Sequence, residues 1–453
     1  MHDLALAGFV AMLIGLGLRR PFLWVLAYLY VDILSPQKIS YFLLQAIPIS
    51  LILFVAAFGG WLASDAKQDS RFTMRQGIIF ILLVYCGLTT LSADFPEAAA
   101  DKWAWVWKAL VFAMFMPLTL RTRLRMEAVA LVMVLSAAPI VITGAIKTLA
   151  TGGGYGSLHF FIDDNTGLFE SSTIACVAIA IIPLIAWLSK YGTVFPRDWR
   201  VKLFAFALIF ACLLIPVGTQ ARTGLLCIGL LAVMSLRTVK RRFLYAGIAG
   251  ALALVAIPFL PDSFTKRMST IENHQADQSA STRVAIWKWT LDYVGDHPFG
   301  GGFDSYRGNK VRVELQQNKT SGSQTAVTTS DVDEQARAFH SAYFEMLGEQ
   351  GWPGLFLWLW LMVSGVWQME RIYRRWRKRT GADEQWQAPL ASALQQAQLI
   401  YMLGAVFIGI AFQPFCLMLI GLQCGLWSYL RRIEKQDEAP VVRRLGTVKP
   451  VAA

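Results

Sequence analysis

The 453-residue sequence is 55% hydrophobic and only 16% charged, with a mean hydropathy of +0.47, which excludes an ordinary soluble domain, where about a quarter of residues are charged. A net charge of +12 would suggest nucleic acid in a soluble chain. Here the basic residues fall mostly in short clusters between apolar runs, so the positive-inside bias of membrane proteins accounts for them first.

Residues 1–18 are apolar, and Arg19-Arg20 follows them rather than precedes them. The segment therefore reads as a retained first span, not a cleaved signal. Further apolar runs lie at residues 21–34, 43–63, 77–91, 103–120, 128–149, 171–188, 202–217, 223–236 and 243–260. After a polar stretch they return at 340–367 and 398–430, and Gln413-Pro414 is expected to break the last of these. The predicted fold class is an all-α polytopic membrane protein of about 12 transmembrane helices, with one long, partly helical loop before the last spans. Residues 1–260 and 340–432 would hold the transmembrane helices, 261–339 the loop and 433–453 a cytoplasmic tail.

Basic clusters at 121–125, 190–202, 237–242 and 371–379 mark the cytoplasmic side. The loops at 93–102, 151–170, 220–222 and 261–339 then face outward, and the side of the N-terminus stays open. Trp103, Trp107, Trp352, Trp358 and Trp360 fit an aromatic belt near span ends. The six cysteines (Cys86, Cys176, Cys212, Cys227, Cys416, Cys424) all sit in apolar segments. That argues against a disulfide framework or a thiolate zinc site.

Within the long loop, Val284, Trp287, Leu291 and Val294 recur at helical spacing and predict an amphipathic helix. Ser281 or Thr282 would cap it, and Asp296-His297-Pro298 would end it. Gly300-Gly301-Gly302 would turn the chain, and residues 316–335, polar and poor in apolar groups, read as mobile.

Three residues stand out as carriers of chemistry. Arg222, in the tight outward turn Thr219-Gln220-Ala221-Arg222-Thr223-Gly224, opposes the positive-inside bias; a snorkelling interface arginine is the plain alternative. Arg283, placed in the first turn of the loop helix, is mildly disfavoured by the macrodipole and hints at a nearby anion; the alternative is a solvated side chain. His340 stands where the loop re-enters the apolar region and would act as base or donor near neutral pH, or merely end an aromatic interface segment. Asp163-Asp164-Asn165 lacks a third ligand at metal spacing, and Asp331, Asp333 and Glu334 read as solvated acids. Gly300-Gly301-Gly302 is no P-loop, and no GxSxG elbow is present, so nucleotide-driven and serine-hydrolase mechanisms lose their support.

Three stretches taken in order resemble the O-antigen ligase and O-antigen polymerase superfamily. They are Thr219-Gln220-Ala221-Arg222-Thr223-Gly224; Ser281-Thr282-Arg283 with Trp287 and Asp296-His297-Pro298-Phe299-Gly300-Gly301-Gly302-Phe303; and His340-Ser341-Ala342-Tyr343-Phe344-Glu345 with Gly348 and Gly351-Trp352-Pro353-Gly354. The family often has Ser where Ala221 stands, and Asn where Ser341 stands.

The resemblance implies a metal-independent, inverting glycosyltransferase in the bacterial inner membrane, with its site facing the periplasm. It implies a glycan on undecaprenyl diphosphate as donor, lipid A-core as acceptor and lipopolysaccharide biosynthesis as the setting, with no cofactor and no nucleic acid. Arg222 and Arg283 would bind the diphosphate, and His340 would serve as base or as a donor to the diphosphate. An O-antigen polymerase or a protein O-oligosaccharyltransferase is the alternative within the superfamily, and a secondary transporter the alternative outside it.

Overall fold

The structure is a computed structural model and describes residues 2–40, 42–65, 67, 72–152, 167–237, 241–244, 247, 250–251, 278–321, 324–379, 381 and 384–445. The expected span at 243–260 lies largely, and Asp163-Asp164-Asn165 wholly, outside them. The helices in chain order are α1 (His2–Arg19), α2 (Phe22–Leu34), the single turn α3 (Pro36–Ile39), α4 (Ile49–Ser64), α5 (Met74–Leu91), α6 (Pro96–Thr119), α7 (Arg123–Thr151), α8 (Ser171–Tyr191), α9 (Trp199–Gly218) and α10 (Arg222–Leu236). Then come α11 (Gln278–Asp296), strands β1 (Lys310–Ser321) and β2 (Gln324–Gln335), and helices α12 (Ala342–Trp376), α13 (Gln387–Gly404) and α14 (Pro414–Leu445).

Among the described residues, α5, α7, α8 and α9 are long and apolar enough to cross a membrane by length and composition, and α2, α4 and α10 are shorter apolar helices. The remaining runs do not all convert into uniformly apolar spans, for a physical reason. Helix α6 carries the largely shielded Lys102, α12 carries buried Glu345, Glu349, Gln350 and Gln368, and α13 carries Gln387, Gln395 and Gln398 on its buried face. Burial inside the bundle, not lipid, surrounds these groups. As Gln413-Pro414 suggested, α13 and α14 are separate helices.

The bundle has two chemically different ends. At one, basic residues pair across helices: Arg125 forks onto Asp65 at 2.6 and 2.7 Å, Arg237 onto Glu370 at 2.9 and 2.6 Å, and Arg375 meets Glu434 at 3.2 Å. Arg432 donates to the Leu120 carbonyl at 2.9 Å. The opposite end gathers the starts of α6, α8, α10, α12 and α14 and the strands. The N-terminus lies there too, since Asp3 accepts from the Phe42 and Leu43 amides ahead of α4, whose far end meets Arg125 through Asp65.

Two expectations need correction. The helical bundle carries one pair of strands in its long loop: residues 316–335, expected to be mobile, belong to an antiparallel pairing from Lys310↔Gln335 to Ser321↔Gln324. Val311, Val313 and Leu315 alternate with polar residues, and the partner strand is rich in Thr, a β-branched type suited to a pleated, half-exposed surface. Helix α11 begins at Gln278, so Arg283 is in its second turn and the macrodipole argument for an anion lapses. Its buried face is Thr282, Ile286, Thr290 and Val294, whereas Val284 and Leu291 are exposed. The spacing of four packs the face against Val311 and Phe339.

Candidate active site at the loop end of the bundle

The site is assembled around a break in α12. Gly351 sits at φ 62°, and a Cβ there would lie 2.3 Å from the Pro298 carbonyl oxygen. Only glycine accepts both the left-handed backbone and that approach. The break leaves carbonyls of the first helical segment without their intrahelical partners, and the glycine turn supplies them. The Gly301 amide donates to Gly348 O at 3.0 Å, and the Gly302 amide to Glu349 O at 2.9 Å. Gly300, at φ 81°, passes so close that a Cβ would be 2.5 Å from the same backbone. Tyr85 clamps the junction from α5, donating to Phe299 O at 3.1 Å and to Gln350 O at 2.9 Å.

Beneath this turn is a buried charge cluster that the sequence did not single out. Lys102 of α6 donates to Glu345 at 2.7 Å and to both oxygens of Glu349 at 2.7 and 3.0 Å, with Asp304 at 3.8 Å. The remaining oxygen of Glu345 accepts from the Ala411 amide at 3.0 Å, and Glu349 accepts from the Asp304 amide at 3.0 Å. Glu345 and Glu349 are one turn apart on α12, so one ammonium reaches both. The spacing of four was legible in the sequence; the lysine that joins them was not. Three carboxylates converge here with the lysine ammonium at their centre. Among the described residues, no group of His, Cys, Asp and Glu is arranged to hold a metal ion.

His340 is two residues before α12, at φ 49°, a left-handed conformation that costs a non-glycine residue energy and is held by its flanks. Phe339 is buried, its carbonyl accepts from Trp287 Nε1 at 2.9 Å, and Trp287 stacks on Phe344 with ring centroids 4.9 Å apart. Arg283 lies one turn before Trp287 on α11. Burial, followed by the positive charges of Arg283 and Arg337, pulls His340 down from 6.5 to about 4, with Glu334 opposing weakly. The imidazole is therefore neutral near pH 7.

Arg337 was not anticipated. Asn309, buried at the base of the hairpin, accepts from its amide at 3.0 Å and donates to its carbonyl at 2.6 Å. Its side chain pairs with Glu334 at 2.9 Å. Glu334 is itself buried, which corrects its reading as a solvated acid: the strand end folds it inward against Arg337. Glu170, at the start of α8, is a further addition. It accepts from Thr173 at 2.7 Å. Burial raises its pKa, the Thr173 hydrogen bond and Arg283 oppose that, and Glu345 adds to it, so both Arg283 and Glu345 are within electrostatic reach of the α8 start.

Arg222 opens α10 at the same end. The turn before it is tight and buried: Gln220 takes φ 52°, and Thr219, Gln220 and Ala221 are all shielded. Two residues on, a Cβ on Gly224 would lie 2.6 Å from Pro216 and 3.2 Å from Ala175 of α8. Helix α8 thus stands beside both arginines, through Glu170 toward Arg283 and through Ala175 beside the first turn of α10. The structure brings Arg283 and His340 into one electrostatic neighbourhood, and the first turn of α10, which Arg222 opens, packs against α8.

Residues 204–359, which include Arg222, Arg283 and His340, match a family described as O-Antigen ligase. Residues 1–193 match a family of unknown function. No curated protein matches the chain. The match over residues 204–359 supports a member of the O-antigen ligase-type superfamily.

Proposed function

We propose that this protein is an O-antigen ligase, transferring a glycan from undecaprenyl diphosphate to a hydroxyl of lipid A-core. The observation that carries this reading is the placement of a neutral His340 beside Arg283, within the matched region and at the end opposite the basic clusters. By the positive-inside rule the basic end would be cytoplasmic. The site, with the loop of residues 261–339, would then face the periplasm from an inner membrane crossed about a dozen times.

In the proposed step the acceptor oxygen attacks the anomeric carbon, and the bond from that carbon to the diphosphate oxygen breaks. The acceptor proton passes to His340, and undecaprenyl diphosphate leaves with the bonding electrons. A single displacement inverts the carbon. Arg222 and Arg283 would receive the growing negative charge of the leaving group, as guanidiniums pair bidentately with phosphate oxygens. A neutral imidazole is in the form that accepts a proton, which favours the base role over that of a cationic donor. Burial, then the charges of Arg283 and Arg337, lowers its basicity, and the negative charge of a bound diphosphate would oppose that.

The test is transfer in vitro by the purified full-length protein in EDTA, with undecaprenyl-diphosphate glycan and lipid A-core. Transfer that persists in EDTA and collapses in His340→Ala and Arg222→Ala is expected. Growth of the donor glycan instead of transfer to lipid A-core would make it a polymerase. Full activity in both variants would remove these residues from the site. Solute flux through protein-containing vesicles without a transfer product would favour a secondary transporter.

A further inference from the structure

The basic end of the bundle contains a cavity that the transfer reaction does not use. It measures about 560 Å³ and is lined by Arg123, Lys190, Arg197 and Lys202, with Tyr191 and Trp386 among its walls and, among the described residues, no carboxylate in its lining. Arg123 anchors the floor. Its Nη2 donates to the Tyr191 carbonyl at 2.6 Å, and its guanidinium lies 5.2 Å from the centre of the buried Trp386 ring. Glu127, one turn from Arg123 on α7, is committed elsewhere: its oxygens accept from the Thr193 amide, from the Thr193 hydroxyl at 2.8 Å and from the Val194 amide at 2.7 Å.

A positive-inside bias explains a surplus of Lys and Arg at this end. It does not require four of them to converge on one aromatic-walled cavity. A second cavity at the same end, about 320 Å³ between α12 and α14, makes the contrast, because there Glu434 sits in the lining and pairs with Arg375 at 3.2 Å.

The surroundings indicate what kind of anion would enter. Val194 and Phe195 in the connection from α8 to α9, and Trp199 at the start of α9, flank Arg197 and are exposed by 42%, 51% and 66%. A soluble anion gains nothing from such neighbours. A lipid does, because its phosphate meets the cations while its acyl chains cover the apolar side chains. We propose that this cavity is a headgroup site for an anionic phospholipid, with Arg123 as its floor and Lys190, Arg197 and Lys202 at its mouth. Such a lipid would tie α7, the α8–α9 connection and the start of α13 together.

The experiment uses full-length protein stripped of lipid in neutral detergent, with thermal unfolding followed as lipid is added. Phosphatidylglycerol should raise the unfolding temperature saturably, and phosphatidylcholine or inorganic phosphate should not. In Arg197→Ala/Lys202→Ala the apparent affinity for phosphatidylglycerol should fall by roughly 5-fold for each cation removed. Arg19→Ala, a basic residue outside the cavity, should leave it unchanged. Arg197→Gln alone, with bound lipid counted by native mass spectrometry, serves if the double variant fails to fold. Equal stabilisation by phosphatidylcholine, equal stabilisation by inorganic phosphate, or unaltered lipid retention in the cavity variants would overturn the assignment.

Discussion

Two charge clusters lie at the same end of the bundle and are built on opposite plans. Around Lys102 each close partner is answered at hydrogen-bond distance: Glu345 and Glu349 share the ammonium, and the backbone amides of Ala411 and Asp304 donate to the same two carboxylates. Around His340 the charges are spread, and two guanidiniums act on a side chain that is left neutral. A closed set of buried ion pairs has little left with which to bind a substrate and is costly to open. On the proposed function the first cluster, which joins α6, the turn after Gly302 and α12, has a positioning role, and the proposed chemistry falls to the second.

The largest expected effect comes from the second cluster. His340→Ala should lower the transfer rate by about 10²- to 10⁴-fold, the usual range for loss of a general base, with little change in unfolding temperature. Initial rates at saturating donor, measured beside a melting curve, check both halves. An equal loss of stability would erase the distinction between the clusters.

Lys102→Met should do the reverse, leaving two buried carboxylates without their cation. Stability should drop by about 3–5 kcal/mol, as for other buried pairs broken on one side, and Lys102→Arg should recover part of it. Thermal unfolding of the purified variants decides this. Unchanged melting with lost transfer would move Lys102 into the chemistry.

The dependence on pH sharpens the contrast further. Nearby cations disfavour the imidazolium, so removing one raises the His340 pKa. The acid limb of kcat/KM, expected near pH 4 in the free enzyme, should move upward toward 6.5 in Arg337→Ala. A limb that stays in place would separate Arg337 from the site. The smallest effect is expected on the hairpin surface, where Arg312 and Asp333 pair at 3.0 Å while both remain about two-thirds exposed. Arg312→Ala should cost less than about 0.5 kcal/mol in unfolding measurements, since exposed pairs are screened by water and salt.

What was readable in the sequence is what local chemistry determines. Pro298 after Asp296-His297 ends α11, Gln413-Pro414 separates α13 from α14, and the apolar runs between basic clusters mark a helical membrane protein. The ordered Arg, Arg and His motifs pointed to the superfamily that the match over residues 204–359 supports. The alternation in Val311, Val313 and Leu315 was also present, but the polar residues around it concealed a strand whose partner is the Thr-rich stretch Gln324–Gln335.

Only the tertiary structure decided which charges meet. Lys102 and Glu345 are 243 residues apart, so no window of sequence contains the pair. The same holds for His340, whose ionisation depends on burial and on Arg283, brought to it by the packing of α11 against α12 and β1. Helix formation and chain reversal depend on near neighbours along the chain. Burial and Coulomb interaction depend on distance through space, which only the folded packing supplies.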